Sequence, residues 1–339
     1  MSFCERSFRL CFAFLLVLGV EVASGQWHKR DHDLDNRSGG YRRIIVDQSG
    51  HGDFMTIQSA IDSVPSFNKY WVYIIVRAGI YWEKIVIPYN KPFIILKGEG
   101  DGKTQVVWGD HESVAQSPTF TSSADNTIVQ MIGFTNSYNH PANNNPRVPA
   151  VAAMVSGDRT RFYKCGFYGL QDTLWDDRGR HYYESCTIEG AVDFIFGSGQ
   201  SIFEGCFISV IGGDLGPGFV GFITAQGRAY NNEANGFVFK NCQVYGTGSV
   251  FLGRPWRPYS RVLFYGSNFS NVIVPQGWNA WQSIGYEGQL TFAEDSCYGP
   301  GSDTSQRVGW EKKLSKDAVE QLISLSYIDK EQWLEHQPF

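Results

Sequence analysis

Residues 162–167 read FYKCGF, and residues 183–188, 21 positions further on, read YESCTI. Both copies place an aromatic residue first, a small apolar residue fourth and an apolar residue sixth. Alternation with a period of two within each copy predicts that it contains a β-strand. Four other stretches fit the same template: residues 129–134 (VQMIGF), 203–208 (FEGCFI), 239–244 (FKNCQV) and 264–269 (FYGSNF).

The spacing of the copies predicts the fold class. Their central residues are 33, 21, 20, 36 and 25 positions apart, and a minimum near 20 residues with occasional insertions is typical of a solenoid. Strands that recur once per coil stack in parallel, about 4.8 Å apart. We therefore predict an all-β parallel β-helix with a buried column formed by the central residues, the cysteines among them. Disulfides between coils remain the alternative for those cysteines.

The ends of an open solenoid need caps, because they expose the core and a strand edge. Residues 56–64 carry apolar side chains at helical spacing, with Thr56 as the N-cap and Pro65 just after the end. This helix is expected to close the N-terminal opening. The pattern at residues 315–324 predicts a second short helix. We expect it to lie along the flank of the solenoid, together with the tail at 327–339.

The composition excludes several classes of protein. The chain has 339 residues, of which 42% are hydrophobic, whereas disordered chains are poor in hydrophobic residues. The net charge of −5 argues against a nucleic-acid binder, because such proteins need a basic surface. The 37 glycines and the 10 Trp, 17 Tyr and 24 Phe residues suit a β protein with tight turns and a sugar-like ligand.

The N-terminus has the pattern of a secretory signal peptide. Arg6 and Arg9 precede an apolar run at 10–20, and small residues follow at 23–25. We expect a signal at 1–25, a flexible polar segment at 26–40 and one folded domain at 41–339, with an uncleaved anchor as the alternative at the N-terminus. No other stretch is apolar and long enough for a membrane helix.

Two further sequence features concern secretion and metal binding. Asn36 and Asn268 begin Asn-X-Ser glycan acceptor sequences, which suits a secreted glycoprotein. Five cysteines follow the predicted signal, so at least one thiol is free. None belongs to a CxxC pair or to a His/Cys cluster with zinc spacing, and we expect no metal site.

The repeat brings two carboxylates together. Asp172 and Asp193 each lie seven residues after a cysteine of the template, and their separation of 21 equals that of the two cysteines. If the coils stack, the aspartates stack too. Two carboxylates so close cannot both ionise freely, so one pKa should rise. A pair with different pKa values can divide the work, one as ionised nucleophile or base and the other as proton donor. The alternative is a pair of turn aspartates that cap backbone N–H groups.

Four motifs in a fixed order resemble the plant-type pectinesterases (pectin methylesterases). They are GIYWE at 79–83, QDTL at 171–174, DFIFG at 193–197 and LGRPW at 252–256. The resemblance extends from about Ile44 to the C-terminus. It implies a right-handed, single-stranded parallel β-helix at 41–339 that removes methyl esters from cell-wall homogalacturonan without a cofactor.

The resemblance also implies a setting for the protein. It would be secreted, would act as a monomer in the extracellular cell wall on pectin, and would be a target for proteinaceous pectinesterase inhibitors. Fewer than about 20 residues separate the predicted signal from the region of similarity. We therefore expect the N-terminal inhibitor-like pro-domain of many family members to be absent.

Residue by residue, the resemblance implies a catalytic set. Asp193 would be the nucleophile, and Arg254 would hold it ionised and oriented. Asp172 would be the proton donor and then the base that activates water. The amide of Gln171 would donate to the oxyanion.

The resemblance further implies that Arg254, Trp256 and Thr119 bind substrate, and it also contains a departure. The family usually reads Gln-Ala-Val-Ala-Leu, and the glutamine is a second oxyanion donor. Here residues 149–153 read PAVAA, and Pro149 offers neither a side-chain donor nor an N–H. Leu170 replaces a frequent aromatic residue, which affects the shape of the subsite.

Two other functions remain as alternatives. A polygalacturonase would use Gly50-His51-Gly52 and Asp176-Asp177, but these motifs occur in the wrong order for that family. A lyase would need a calcium site of clustered acidic residues, and none is evident in the sequence. A wall protein that binds pectin with little or no catalysis is favoured by Pro149. Methanol release discriminates among them, because only an esterase produces methanol.

Overall fold

The computed structural model describes residues 41–141 and 143–338. The chain coils into a right-handed parallel β-helix with three sheets, which confirms the predicted fold class. The strands, in chain order, are β1 (Arg42–Val46), β2 (Val72–Val76), β3 (Gly79–Tyr81), β4 (Ile85–Ile87), β5 (Ile94–Lys97), β6 (Thr104–Trp108), β7 (Phe120–Ser122), β8 (Thr127–Gln130), β9 (Gly133–Asn136), β10 (Ala153–Val155), β11 (Thr160–Tyr163), β12 (Gly166–Tyr168), β13 (Leu174–Asp176), β14 (Arg180–Glu184), β15 (Thr187–Gly190), β16 (Val192–Gly197), β17 (Gln200–Glu204), β18 (Phe207–Ile211), β19 (Gly221–Gln226), β20 (Gly236–Lys240), β21 (Gln243–Thr247), β22 (Val250–Pro255), β23 (Arg261–Tyr265), β24 (Asn268–Phe269) and β25 (Thr291–Asp295).

Each full coil contributes one strand to each sheet, and neighbouring coils pair in parallel. Among the described residues, sheet 1 has the order β1-β2-β5-β8-β11-β14-β17-β20-β23-β25. Sheet 2 has the order β24-β21-β18-β15-β12-β9-β6-β3, and sheet 3 has the order β22-β19-β16-β13-β10-β7-β4. Because every strand pairs with the next coil, residues one coil apart lie directly above one another.

The repeated template lies on a corner of the coil, which corrects the expectation that each copy contains one strand. Each copy ends a strand of sheet 1 and begins a strand of sheet 2. The residue before the central one has a positive φ, as in Lys164 (50°), Ser185 (53°) and Gly205 (61°). In a continuous strand, residues three apart face opposite sides. The left-handed residue turns the chain, so that the first and fourth positions both point inward.

The interior consists of side-chain columns that run from coil to coil. The rings of Phe162, Tyr183, Phe203, Phe239 and Phe264 stack with centroid distances of 5.0, 4.5, 4.6 and 4.4 Å. The predicted column of buried cysteines is confirmed, and its members are free thiols rather than disulfides: Cys165, Cys186, Cys206 and Cys242.

Short helices complete the fold. Helix α1 (Ile57–Asp62) has Thr56 as its N-cap, as predicted, and buries its apolar face against the end of the core. Helix α2 (Lys316–Ile323), capped by Ser315, packs with α3 (Trp333–His336) on the outer face of sheet 1. Short 3-10 helices lie at Gly212–Leu215, Trp281–Ser283, Glu287–Gln289, Pro300–Ser302 and Leu325–Tyr327.

The aromatic column predicts a large stability effect. Phe203 is fully buried between Tyr183 and Phe239, so Phe203→Ala should lower the free energy of unfolding by about 3–5 kcal/mol. Phe207→Ala on the next strand is the matched control, because that ring is 44% exposed. Urea denaturation of both variants would measure the difference, and equal losses would contradict the assignment of the column to the core.

Some predictions fall outside the described residues. These are the signal at 1–25, the flexible segment at 26–40 and the acceptor Asn36. Asn268 lies in β24, where its side-chain Nδ2 donates to Gln243 Oε1 (3.0 Å). Within 41–141 and 143–338, no helix has the length and apolar character needed to cross a membrane.

Candidate active site

Asp172 and Asp193 lie on neighbouring coils, side by side on the outer face of sheet 3. The N–H of Asp172 donates to Val192 O (3.0 Å), and Gln171 pairs with Val192. Both aspartates have a positive φ, 59° and 48°, and the pairing of β16 with β19 shifts register beside Asp193. The 21-residue spacing therefore stacks the two carboxylates at a local irregularity that turns them out of the regular strand pattern.

Arg254 binds Asp193 from two coils above, across strand β19, which lies between their strands. It lies in β22, and its Nε and Nη2 donate to Asp193 Oδ1 and Oδ2 at 2.8 and 2.5 Å. The two side chains are only 18% and 12% exposed. This parallel, two-bond geometry fixes the plane of the carboxylate and stabilises its charged form.

The two carboxyl groups have different environments. Burial, followed by the charge of Asp193, raises the pKa of Asp172 to about 8, and Arg254 offsets only part of that rise. Burial also raises the pKa of Asp193, but its hydrogen bonds and charge interaction with Arg254 oppose this effect. Because Arg254 hydrogen-bonds to Asp193 and not to Asp172, near neutral pH the site favours an ionised Asp193 beside a protonated Asp172.

Two aromatic rings that the sequence analysis missed enclose Arg254. Its guanidinium carbon lies 4.1 Å from the ring centroid of Phe222 and 4.1 Å from that of Trp281. Phe222 comes from β19 and Trp281 from the short 3-10 helix that follows β24. Neither residue belongs to the motifs quoted above, so no local signal marked them.

Gln171 and Trp256 both lie at this face. Gln171 is half-buried, and its side-chain amide has no hydrogen-bond partner among residues 41–141 and 143–338. Trp256 is also half-buried and packs edge-on against Phe196 with ring centroids 5.9 Å apart, while Trp175 stacks on Phe196 at 5.4 Å. These rings form an apolar strip beside the carboxylates.

Thr119 is not brought to the surface of the site. It is fully buried, and its hydroxyl donates to Thr135 O at 3.0 Å. The matching position in the motif is therefore turned into the coil, where the hydroxyl satisfies a backbone carbonyl. The expected contact between this side chain and a substrate does not fit this geometry.

Pro149 occupies the coil below Gln171. The following residue, Ala150, donates its N–H to Gln171 O at 3.2 Å, which fixes the two coils relative to each other. Pro149 itself is half-buried.

Leu170 is nearly buried and packs with Ala191 and Leu215, so it contributes an apolar wall rather than a polar group.

The residues of the alternative motif do not form a site. Asp176 is fully buried and paired with the buried ring of His181, whereas Asp177 binds the exposed Arg178. His51 lies in an exposed turn whose contacts are local. Within the described parts of the chain, no cluster of His, Cys, Asp and Glu is arranged to hold a metal ion.

Comparison with known proteins gives consistent matches along almost the whole described chain. A family model described as pectinesterase matches residues 43–331. The probable pectinesterase 29 of Arabidopsis thaliana is 59% identical over 301 residues, which cover 88% of this chain and 90% of that protein.

Solved structures agree with the sequence relatives. A pectin methylesterase from carrot superimposes with a TM-score of 0.81 at 29% identity, covering 87% of this chain and 96% of that one. A pectin methylesterase variant in complex with a hexasaccharide superimposes with a TM-score of 0.73 at 25% identity, covering 85% and 96%.

Proposed function

Since the chain belongs to the pectinesterase family of carboxylic ester hydrolases, we propose that it removes methyl esters from homogalacturonan with Asp193 as the nucleophile. One observation carries the proposal: the two-bond pair of Arg254 and Asp193 beside a carboxyl group, Asp172, that has no such partner. This arrangement prepares one carboxylate to attack and one carboxylic acid to donate a proton.

The first half of the reaction forms an acyl-enzyme. Asp193 attacks the ester carbonyl carbon, and the amide of Gln171 donates to the oxyanion that develops on the carbonyl oxygen. The bond from carbon to the methoxy oxygen then breaks, while Asp172 gives its proton to that oxygen. Methanol leaves, and the galacturonate carbonyl is joined to Asp193 as an anhydride.

The second half restores the enzyme. Asp172, now ionised, takes a proton from a water molecule as that water attacks the same carbonyl carbon. The bond to Asp193 breaks and leaves Asp193 ionised and Asp172 again protonated. The second proton of the water stays on the new galacturonic acid group, which passes it to solvent and leaves as the carboxylate. Arg254 stabilises Asp193 both before its attack and as it leaves.

The same proposal covers the setting of the protein. Residues 41–339 would be the catalytic domain, and Trp256 would pack against a galacturonate ring of the pectin chain. The pectinesterases of Arabidopsis thaliana and the hexasaccharide complex support a polysaccharide of the plant cell wall as the substrate. Secretion to the wall, use of the glycan acceptors, the monomeric state and a protein inhibitor as partner stay predictions.

Methanol release from highly methylated pectin by the purified mature protein tests the proposal. An esterase releases methanol without shortening the polymer, and a polygalacturonase or lyase shortens it without releasing methanol. A protein that only binds pectin does neither. Well-folded protein that releases no methanol would refute the proposal.

A weakly active, pectin-binding protein is the second candidate, and Pro149 is the observation that favours it. If a missing donor limits the rate, Pro149→Gln should raise kcat by up to about 10²-fold, because an oxyanion donor typically contributes that much. Methanol release by the two proteins measures the effect, with Pro149→Ala as the control for loss of the ring. An unchanged rate would mean that the oxyanion is already fully stabilised.

A further inference from the structure

We propose that Phe222 and Trp281 are positioning residues, whose rings hold the guanidinium of Arg254 in the plane of the Asp193 carboxylate. The inference rests on the proposed function, and it assigns to these two aromatic residues a role in the reactivity of the nucleophile. We call the pair the aromatic sandwich. One ring comes from β19, on the coil between those of Asp193 and Arg254, and the other comes from the segment that follows β24.

The strand side of the sandwich is rigid. Phe222 lies in β19, which pairs with β22, the strand that contains Arg254. The ring of Phe222 also stacks on that of Phe251 at 5.4 Å, with 10° between the planes. Phe222 is therefore held by backbone pairing and by a second ring, so its face toward Arg254 has a fixed position.

The other side depends on a short segment that hydrogen-bonds to β22. Leu252 N donates to Gly277 O at 2.8 Å, and Asn279 N donates to Gly253 O at 3.1 Å. The side-chain oxygen of Asn279 then accepts the N–H of Trp281 at 2.8 Å. Trp281 has a φ of 43°, a conformation that L-residues rarely adopt, and these bonds hold it there.

The aromatic sandwich leaves Nε and Nη2 of Arg254 free to bind Asp193. It restricts rotation of the guanidinium away from that carboxylate. A guanidinium bonds at its edge, while its faces are weakly hydrated and stack on aromatic rings. With each ring centroid 4.1 Å from its central carbon, the guanidinium keeps Nε and Nη2 directed at the two oxygens of Asp193. The ion pair is only 18% and 12% exposed, and this low exposure to water strengthens its charge interaction.

The charged groups that face Asp193 are Arg254, two coils above, and Asp172, on the coil below. A guanidinium that is free to turn away stabilises the ionised nucleophile less, while the repulsion from Asp172 is unchanged. Loss of a ring should therefore make Asp193 harder to ionise and less well aligned. The first effect moves the acid limb of the pH profile, and the second lowers kcat.

The test compares Trp281→Leu and Phe222→Leu with the conservative variants Trp281→Phe and Phe222→Tyr. For each leucine variant we expect kcat to fall about tenfold or more. The acid limb of kcat/KM should move up by about half to one pH unit, with little change in KM. The conservative variants, which keep a flat face over Arg254, should restore most of both quantities.

Ile284→Ala is the matched control for the segment, because Ile284 follows the 3-10 helix of Trp281 and is 75% exposed. It should behave as wild type. If Trp281→Leu does not fold, Trp281→Gln takes its place. Because each ring is tested separately, either leucine variant can also test the proposal without the other.

The possible results separate failure of the sandwich from failure of the proposed function. Leucine variants with a wild-type kcat and acid limb would overturn the sandwich, and so would a rise in KM alone, which indicates a contact with substrate instead. An inactive wild type, or an active Asp193→Asn, would refute the proposed function itself. Active wild type, inactive Asp193→Asn and shifted leucine variants would support both.

Discussion

Asp193→Asn is expected to abolish methanol release, with kcat reduced on the order of 10⁴-fold or more, as is typical when a nucleophile is lost. An amide oxygen cannot form the acyl-enzyme, although the side chain keeps its size. The variant also keeps a group that can accept one hydrogen bond from Arg254. The fold should persist, because the core columns do not involve position 193.

The measurement is methanol release with circular dichroism and a thermal melt on the same samples. Asp177→Asn is the matched control, because it makes the same chemical change in a carboxylate that binds the exposed Arg178. That control should retain wild-type activity. Near-native methanol release by folded Asp193→Asn would exclude Asp193 as the nucleophile.

Asp172→Asn should reduce kcat by about 10²–10⁴-fold and should also change the pH profile. In the wild type, Asp193 must be ionised and Asp172 protonated, so kcat/KM should fall on the acid side and again above about pH 8, the pKa of Asp172. The two limbs belong to the coupled pair. The variant should lose the alkaline limb, because it has no acid to deprotonate there.

The leaving group provides a sharper test of the acid role. A trifluoroethyl ester of the same polymer releases a less basic alkoxide, so the first turnover of Asp172→Asn should be slowed less with this ester than with the methyl ester. The readout is the burst of alcohol in a rapid-quench experiment. Equal slowing with both esters would contradict proton donation by Asp172.

The change of folding stability with pH gives an independent check of the raised pKa of Asp172. The pKa of Asp172 is raised in the folded state to about 8, so between about pH 4 and pH 8 the folded protein binds a proton that the unfolded chain has lost. Stability from this group therefore falls as pH rises through that window. Asp172→Asn has no carboxyl group at this position, so it lacks this decrease in stability with rising pH. At pH 7 its Tm should therefore equal or exceed that of the wild type.

Some parts of the site and of the fold were predictable, because they follow the period of the coil or a local pattern. The 21-residue separation of Asp172 and Asp193 equals one coil, so their contact could be inferred from the spacing of Cys165 and Cys186. Helix α1 was equally predictable, since its cap and its apolar face are local features. In both cases the information lies in short-range pattern.

Other parts could not be inferred, because they depend on loops of irregular length. Trp281 lies 27 residues after Arg254 and Phe222 lies 32 residues before it, and neither distance matches the shortest coil. Thr119 shows the converse error. A matching sequence position suggested contact with substrate, but the local turn of the chain buries its hydroxyl against Thr135 O.

The amino-acid sequence by itself determined the parallel β-helix, the buried column of cysteines and the stacking of two aspartates, because a repeat fixes which residues share a column. Only the tertiary structure decided the environment of those aspartates. Burial and charge depend on side chains from several coils at once: Arg254 above Asp193, Asp172 below it, and Phe222 and Trp281 around the cation. The difference between the two carboxyl groups is therefore a property of the assembled coils.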